Sequence, residues 1–169
     1  MKLFKNLLVA IALFFAFNTV QAQSVAHIDS EKLLMAMPET EAMNTELKKV
    51  QQTFADDYNA QATALQAKLK KYDTEAATQT DAKNEERRAE VNKLQQKLQK
   101  YGQTADQEIQ KKRFDLLKPI VEKAQKAVQD VAKAKGIKYV FDSAPGKGLI
   151  VFEGEDLLSA VKAKLGIKK

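Results

Sequence analysis

Two long stretches of the chain have apolar residues spaced three or four positions apart. The first stretch contains Leu47, Val50, Phe54, Tyr58, Ala62, Leu65, Leu69, Tyr72 and Ala76. The second contains Val91, Leu94, Leu98, Tyr101, Ala105 and Ile109. This spacing puts apolar side chains on one face of an α-helix. The pattern therefore predicts two long helices, each with a single narrow apolar seam.

The two seams are separated by residues 74–84, which contain no large apolar side chain. Thr80 or Asp81 could cap a new helix there. We place a chain reversal in this segment, because the apolar steps stop and resume in a new phase. The result is an antiparallel hairpin of helices of roughly 38 and 50 residues, the first about 57 Å long. One continuous helix in a parallel coiled coil is also allowed, since no Gly or Pro lies near position 78.

Short strand-like and helical segments flank the predicted hairpin. A short helix begins at Asp29 or Ser30, and a last helix runs from about Glu155 to Leu165. Three strands are predicted, the last two joined by a hairpin turn at Pro145-Gly146: Val25–Asp29, Ile137–Asp142 and Leu149–Phe152. The sequence thus predicts an α+β fold, with a small β-sheet body at about 23–38 and 119–169. A protruding helical arm occupies about 39–118, with its tip near 74–84.

The body contains too little apolar surface to be stable alone, because its strands are few and short. We therefore expect an obligate oligomer in which several copies share one core. The residues expected to line that core are Val140, Phe141, Ile150 and Phe152. His27 alternates with Val25 and Asp29 along the first strand, and we interpret it as a packing or interface residue.

The first 22 residues have the pattern of a secretory signal peptide. Lys2 and Lys5 precede an uncharged apolar run that is about half the 20 residues needed to span a membrane. Val20-Gln21-Ala22 predicts cleavage after Ala22. Removal of this segment lowers the formal charge from +6 to +4. The mature chain, residues 23–169, is predicted to be a single exported domain.

The composition excludes most catalytic and metal-binding chemistry. The chain has no Cys and one His, so it lacks thiolate nucleophiles, Cys-ligated metals and multi-His centres. Gly146-Lys147-Gly148 lacks the spacing of a phosphate-binding loop. We predict no catalytic residues, no cofactor and no metal site. Nucleic acid is also not an expected partner, because no basic cluster of the required kind is present and the chain is exported.

Five segments in this order resemble the Skp (OmpH-like) family of periplasmic chaperones. They are Val25-Ala-His-Ile-Asp-Ser-Glu-Lys-Leu-Leu34, the Met37-Pro-Glu break, Leu116-Leu-Lys-Pro-Ile120, Tyr139-Val-Phe-Asp142 and the closing Leu157-Leu. The resemblance covers essentially the whole mature chain. It implies a jellyfish-like homotrimer that holds unfolded outer-membrane proteins between three helical arms without using ATP.

On this interpretation the protein is a periplasmic holdase, not an enzyme. Residues 68–100 carry a net positive charge, which we expect to steer acidic clients toward the arm. The residues expected to do so are Lys68, Lys70, Lys71, Arg87, Arg88, Lys93 and Lys97. Contact of this basic region with a membrane surface or with lipopolysaccharide is left open. The alternative function is a structural periplasmic coiled-coil protein that links envelope components.

Overall fold

The computed structural model describes residues 25–168. The predicted signal peptide and its cleavage site after Ala22 lie outside the described residues. The elements are β1 (Val25–Ile28), α1 (Ser30–Ala36), α2 (Pro38–Glu75), a 3-10 turn (Ala76–Thr78), α3 (Asp81–Ala134), β2 (Tyr139–Asp142), β3 (Glu155–Asp156) and α4 (Leu158–Lys164). The chain is thus mostly helical with a small three-stranded sheet. None of the helices among these residues combines the length and the apolar character needed to cross a membrane.

The described chain divides into two compact units. The first, which we call the sheet unit, contains residues 25–33 and 126–168 and includes all three strands. The second, the helical unit, contains residues 34–125, with all of α2 and most of α3.

The sheet is entirely parallel, with the strand order β2-β1-β3. In the register, Val25 lies beside Tyr139 and Ala26 lies beside both Val140 and Glu155. The predicted third strand at Leu149–Phe152 and its hairpin turn are therefore wrong. β2 and β3 lie on opposite sides of β1 and point the same way, so residues 143–154 must cross from one edge of the sheet to the other. Such a connection requires about a dozen residues, whereas a tight turn joins only antiparallel neighbours.

One face of the sheet is covered by apolar side chains of the sheet unit. Ala26 and Ile28 point to this face and are buried, as are Leu33 and Val131. Leu157 and Val161 are fully buried, each with 0% exposure. Strand alternation explains this arrangement, because successive side chains of β1 point to opposite faces of the sheet. The core of the sheet unit thus lies on one side of the sheet.

The carboxylate of Asp142 joins the end of β2 to the start of α1. It accepts hydrogen bonds from the Ser30 hydroxyl at 2.6 Å, from the Ser30 backbone N–H at 3.1 Å and from the Ala144 backbone N–H at 3.0 Å. Burial acts to raise the pKa of Asp142, but these hydrogen bonds, together with the charge of Lys147, leave the pKa below its ordinary value. The ionised carboxylate therefore links the end of β2 and the residue Ala144 after it to the start of α1.

Contacts between α2 and α3 follow one order along the helical unit. The Tyr101 hydroxyl donates a hydrogen bond to Asp57 at 3.1 Å, Lys112 lies 3.6 Å from Glu46, and Lys123 pairs with Glu39. Residues closer to the C-terminus of α3 thus contact residues closer to the N-terminus of α2. A single continuous helix, which the sequence also allows, is not present, because α2 ends at Glu75 and contacts α3 directly.

The break between the two helices occupies residues 76–80. The Thr80 hydroxyl accepts the Lys83 backbone N–H at 3.3 Å, which satisfies one of the free donors at the start of α3. The Asn84 side-chain amide donates to the Ala76 carbonyl at 2.9 Å and holds the turn against the first residues of α3. Polar side chains therefore hold the break between the two helices, where the sequence has no large apolar residue.

Candidate functional site

The described residues contain no cluster of His, Asp and Glu side chains that could hold a metal ion. Candidate functional residues therefore have to be sought on surfaces. Two surfaces stand out, one in each unit. The first is the end of the α2–α3 pair next to the turn at 76–80, and the second is the uncovered face of the sheet.

The turn cluster, as we name it, consists of Lys68, Tyr72 and Glu75 on α2 with Arg87 and Glu90 on α3. The Arg87 guanidinium donates to the Glu75 carboxylate at 2.6 Å and lies over the Tyr72 ring, 4.6 Å from its centroid. Glu90 accepts hydrogen bonds from Lys68 and from the Tyr72 hydroxyl, the second at 2.5 Å. Each polar group on one helix is thus matched by a group on the other.

The contacts in the turn cluster shift the titration of its members. Hydrogen bonds from Lys68 and then from Tyr72 hold the pKa of Glu90 below its ordinary value. The bond to Glu90 raises the pKa of both Lys68 and Tyr72. All three shifts favour the protonation states present near neutral pH, with Glu90 ionised and Lys68 charged. The cluster is therefore a stable electrostatic link between the two helices.

The seven cations expected to steer clients fall into two groups. Lys68, Arg87 and Arg88 are paired with carboxylates, the last with Glu85 at 2.9 Å on the exposed surface of α3. The other four make no ion pair with any described residue and are exposed: Lys70, Lys71, Lys93 and Lys97. Only this second group offers its full charge to a ligand. The pairs of Lys68 and Arg87 depend on the register between α2 and α3, which the sequence does not give, whereas the pair of Arg88 with Glu85 lies within one turn of α3.

A shallow groove of about 460 Å³ runs beside the turn cluster. Its apolar lining includes Leu69, Ala76 and Val91. Polar side chains complete the lining, among them Asp73, Asn84 and Asn92. The mixture of apolar and polar groups suits weak contacts with varied polypeptide segments and shows no arrangement for a chemical step.

The sheet face, our name for the uncovered side of the sheet, carries Val25, His27, Tyr139, Phe141 and Phe152. The register places Val25 beside Tyr139 and His27 beside Phe141. The Phe152 ring lies 4.6 Å from the His27 ring, centroid to centroid. All of these side chains except His27 are exposed, Phe141 by 47%. Parallel sheets are normally covered on both faces, so this exposed apolar surface is unusual.

The four residues expected to line a shared core do not all lie on this face. Phe141 and Phe152 belong to it, and Ile150 is the most exposed large apolar residue of the described chain, at 94%. Val140 lies beside Ala26 in the register and points to the covered face, where it is half-buried. The geometry thus separates Val140 from Phe141 and Phe152.

Comparisons with known proteins identify the family. The family model for outer membrane protein (OmpH-like) matches residues 24–165. Among solved structures, the chain is similar to a candidate outer membrane chaperone (OmpH-like) from Caulobacter crescentus CB15, with a TM-score of 0.74 and 20% identity over 84% of this chain and 83% of that one. This likeness supports the same fold. No curated protein matches the sequence. On the family match over residues 24–165, the chain belongs to the OmpH-like outer membrane protein family.

Proposed function

We propose that this protein is an ATP-independent periplasmic holdase that binds unfolded outer-membrane proteins and prevents their aggregation. It works as a binding protein, with no chemical step and no cofactor. The signal peptide is removed after Ala22, and the mature chain acts as one domain with a body and a helical arm. Mass spectrometry of the exported protein tests the processing step, since a soluble species that retains residues 1–22 would contradict it.

The observation that carries the proposal is the surface of the α2–α3 pair. The two helices contain 38 and 54 residues, yet α2 buries only Met43 and Leu47. Half-covered apolar side chains remain along the pair, together with exposed lysines that make no ion pair within the described part of the chain, among them Lys70, Lys71, Lys93 and Lys97. Single contacts to such a surface are weak, so binding depends on many contacts made at once. This matches the needs of a holdase, which must bind many sequences and release them without an energy source.

The order of contacts between α2 and α3 supports an antiparallel helical hairpin as the client-binding arm. Three copies of the chain assemble through the sheet face, so that three arms surround one client. An apolar face on a parallel sheet favours burial against another copy. The segment Leu149–Phe152 is rich in strand-forming residues but has no strand partner among residues 25–168, and within these residues β2 has one free edge. Both features favour pairing between copies.

The holdase function is tested by diluting an unfolded outer-membrane β-barrel out of denaturant and following light scattering. The mature protein at one trimer per client should suppress the scattering without nucleotide. Added ATP should change nothing. If the assembled protein leaves aggregation unchanged, the holdase proposal is wrong and the structural role in the envelope takes its place.

The assembly surface is tested by acidic substitutions and sedimentation. Burial of a large apolar side chain contributes about 1.5–3 kcal/mol, so Phe141→Asp and Ile150→Asp should each shift the protein toward monomers. Phe114→Asp is the matched control, because Phe114 is also exposed, by 66%, but belongs to the helical unit. Dissociation by Phe114→Asp alone would move the interface to the helices.

A further inference from the structure

His27 occupies the middle of the sheet face and makes two contacts there. Its Nδ1 atom lies 3.3 Å from the Ser143 hydroxyl, and its ring packs against Phe152. Ser143 and Phe152 lie near the two ends of the connection between β2 and β3. The single histidine of the chain therefore holds this connection against the sheet, directly beside the exposed apolar side chains.

His27 makes no ion pair with any described residue, although one acidic residue lies in register with it on the neighbouring strand. β2 presents Phe141 and, one pair further along, Tyr139, while β3 presents Asp156 in register with His27. Asp156 accepts the Leu158 backbone N–H at 2.8 Å. Lys147 and Glu153 are the charged residues of the connection between β2 and β3. Within residues 25–168, no carboxylate oxygen lies within 4.0 Å of an imidazole nitrogen of His27.

From this placement we infer that His27 makes assembly through the sheet face sensitive to pH, with neutral imidazole favouring the assembled protein and imidazolium favouring free protomers. The inference rests on the proposed assembly of copies through this face. Histidine is the side chain that ordinarily changes charge between pH 5 and 8. A second copy that covers the face would remove water from the ring and supply mainly apolar neighbours.

The direction follows from the cost of burying an unpaired charge. The free protomer keeps water at the ring and binds a proton more readily than the covered protomer does. Acid therefore favours release, and assembly that is complete at pH 8 is lost as the pH falls. A trimer contains three such histidines, so its association constant can fall by up to about a thousandfold per pH unit where each released protomer takes up one proton.

The experiment is sedimentation velocity of the untagged mature protein at pH 8.0 and pH 5.5, at the same ionic strength. Wild type should be assembled at pH 8.0. On dilution it should dissociate at a higher protein concentration at pH 5.5 than at pH 8.0. His27→Gln keeps a polar side chain beside Ser143 but does not titrate, and it should assemble equally at both pH values. His27→Lys, which carries its charge at both pH values, should be dissociated at both. Far-UV circular dichroism checks that each variant retains its helices.

The outcomes separate this inference from the proposed assembly. Equal pH dependence in wild type and His27→Gln would overturn the role of His27 and leave the assembly proposal intact. A wild-type protein that is monomeric at pH 8.0 would overturn both. As a second readout, the imidazole C–H resonance of the only histidine should titrate at a pH that rises on dilution, because dilution favours the free protomer. A titration that does not depend on concentration would contradict the inference even if His27→Gln failed to fold.

Discussion

Gly102 lies in the interior of α3, where glycine is an unfavourable residue, and its replacement by alanine tests the packing of the two long helices. The residue is half-buried and does not have a positive φ angle. A Cβ atom placed there would lie 3.7 Å from Cε2 of Tyr58 on α2, which is ordinary van der Waals contact. Gly102→Ala therefore needs no movement of Tyr58 or of the backbone.

The expected effect is a gain in local stability. Alanine is better than glycine in a helix interior by about 0.8–1.0 kcal/mol, mainly because glycine loses more backbone entropy on folding. The added methyl group also touches the Tyr58 ring, which contributes a fraction of the ~0.8 kcal/mol expected for a fully buried carbon. A total of about 1 kcal/mol corresponds to a roughly fivefold decrease in local opening.

Hydrogen exchange measures this opening directly. Backbone amides of α3 within one turn of position 102 should exchange about fivefold more slowly in Gly102→Ala than in wild type. The control is Gln103→Ala at the adjacent exposed position, where both residues are good helix formers and little change is expected. Faster exchange in Gly102→Ala would show that α2 and α3 approach more closely at this point than the Tyr58 contact indicates, and would refute the packing described above.

Three further predictions concern charged side chains. Asp142→Asn should lower the free energy of unfolding of the sheet unit at pH 7 by about 1–3 kcal/mol. Because the pKa of Asp142 lies below its ordinary 3.8 when folded, the contribution of the carboxylate is complete above about pH 4 and is lost below it. Urea unfolding of the variant should therefore depend less on pH than that of wild type below about pH 4. Arg87→Gln should speed amide hydrogen exchange in the first turns of α3, since it removes a cation–π contact and an ion pair worth about 0.5–2 kcal/mol. Arg88→Gln is the control and should change the exchange rates very little, because the ion pair of Arg88 is exposed. Replacement of Lys70, Lys71, Lys93 and Lys97 by Gln should slow capture of an acidic client about tenfold at low salt and hardly at high salt. The control is the same replacement of Lys48, Lys49, Lys111 and Lys118, and equal capture rates for the two sets would exclude steering by this region.

The helical part of the fold could be read from the sequence because its signals are local. The three- and four-residue apolar spacing, the lack of large apolar residues at 74–84 and the capping residue Thr80 each act within one or two turns of helix. The structure has α2 ending at Glu75 and α3 beginning at Asp81, on either side of the segment where the apolar pattern stops.

The sheet could not be predicted from local signals in the same way, because which segments pair in a parallel sheet depends on the path of the chain between them. Leu149–Phe152 has the apolar and β-branched residues of a strand, whereas Glu155–Asp156 has residues that are uncommon in strands. The structure nevertheless pairs Glu155 and Asp156 with β1. Leu157 follows at once and is completely buried, and its backbone N–H donates to the His27 carbonyl at 3.0 Å. Burial of Leu157 thus places the strand directly before it, whatever the propensity of residues 155 and 156.

The ion pairs of the turn cluster were missed for a related reason. Lys68 and Glu90 are 22 positions apart, and Arg87 and Glu75 are 12 apart. Their contact depends on the length of the turn, since one residue more or fewer between the helices would change every facing pair. Sequence reasoning therefore counted Lys68 and Arg87 as available, although both hold carboxylates of the other helix in the structure.

The two ends of the α2–α3 pair are closed by different forces, and the difference makes Arg87 more important than its number of contacts suggests. Away from the turn, Met43, Leu47 and Ile120 are buried, and apolar burial is little affected by salt. Near the turn, Val91 is the only large buried apolar side chain among residues 65–100, so closure depends on the turn cluster. Lys68 and Glu90 are each about 40% exposed and are weakened by screening, whereas the Arg87 side chain is only 12% exposed and retains its attraction to Glu75 and Tyr72 at physiological salt. The end of the pair next to the turn is thus held mainly by ionic and cation–π contacts, with Val91 as its one large buried apolar side chain, and Leu69 remains 39% exposed in the groove, where the proposed client would make contact.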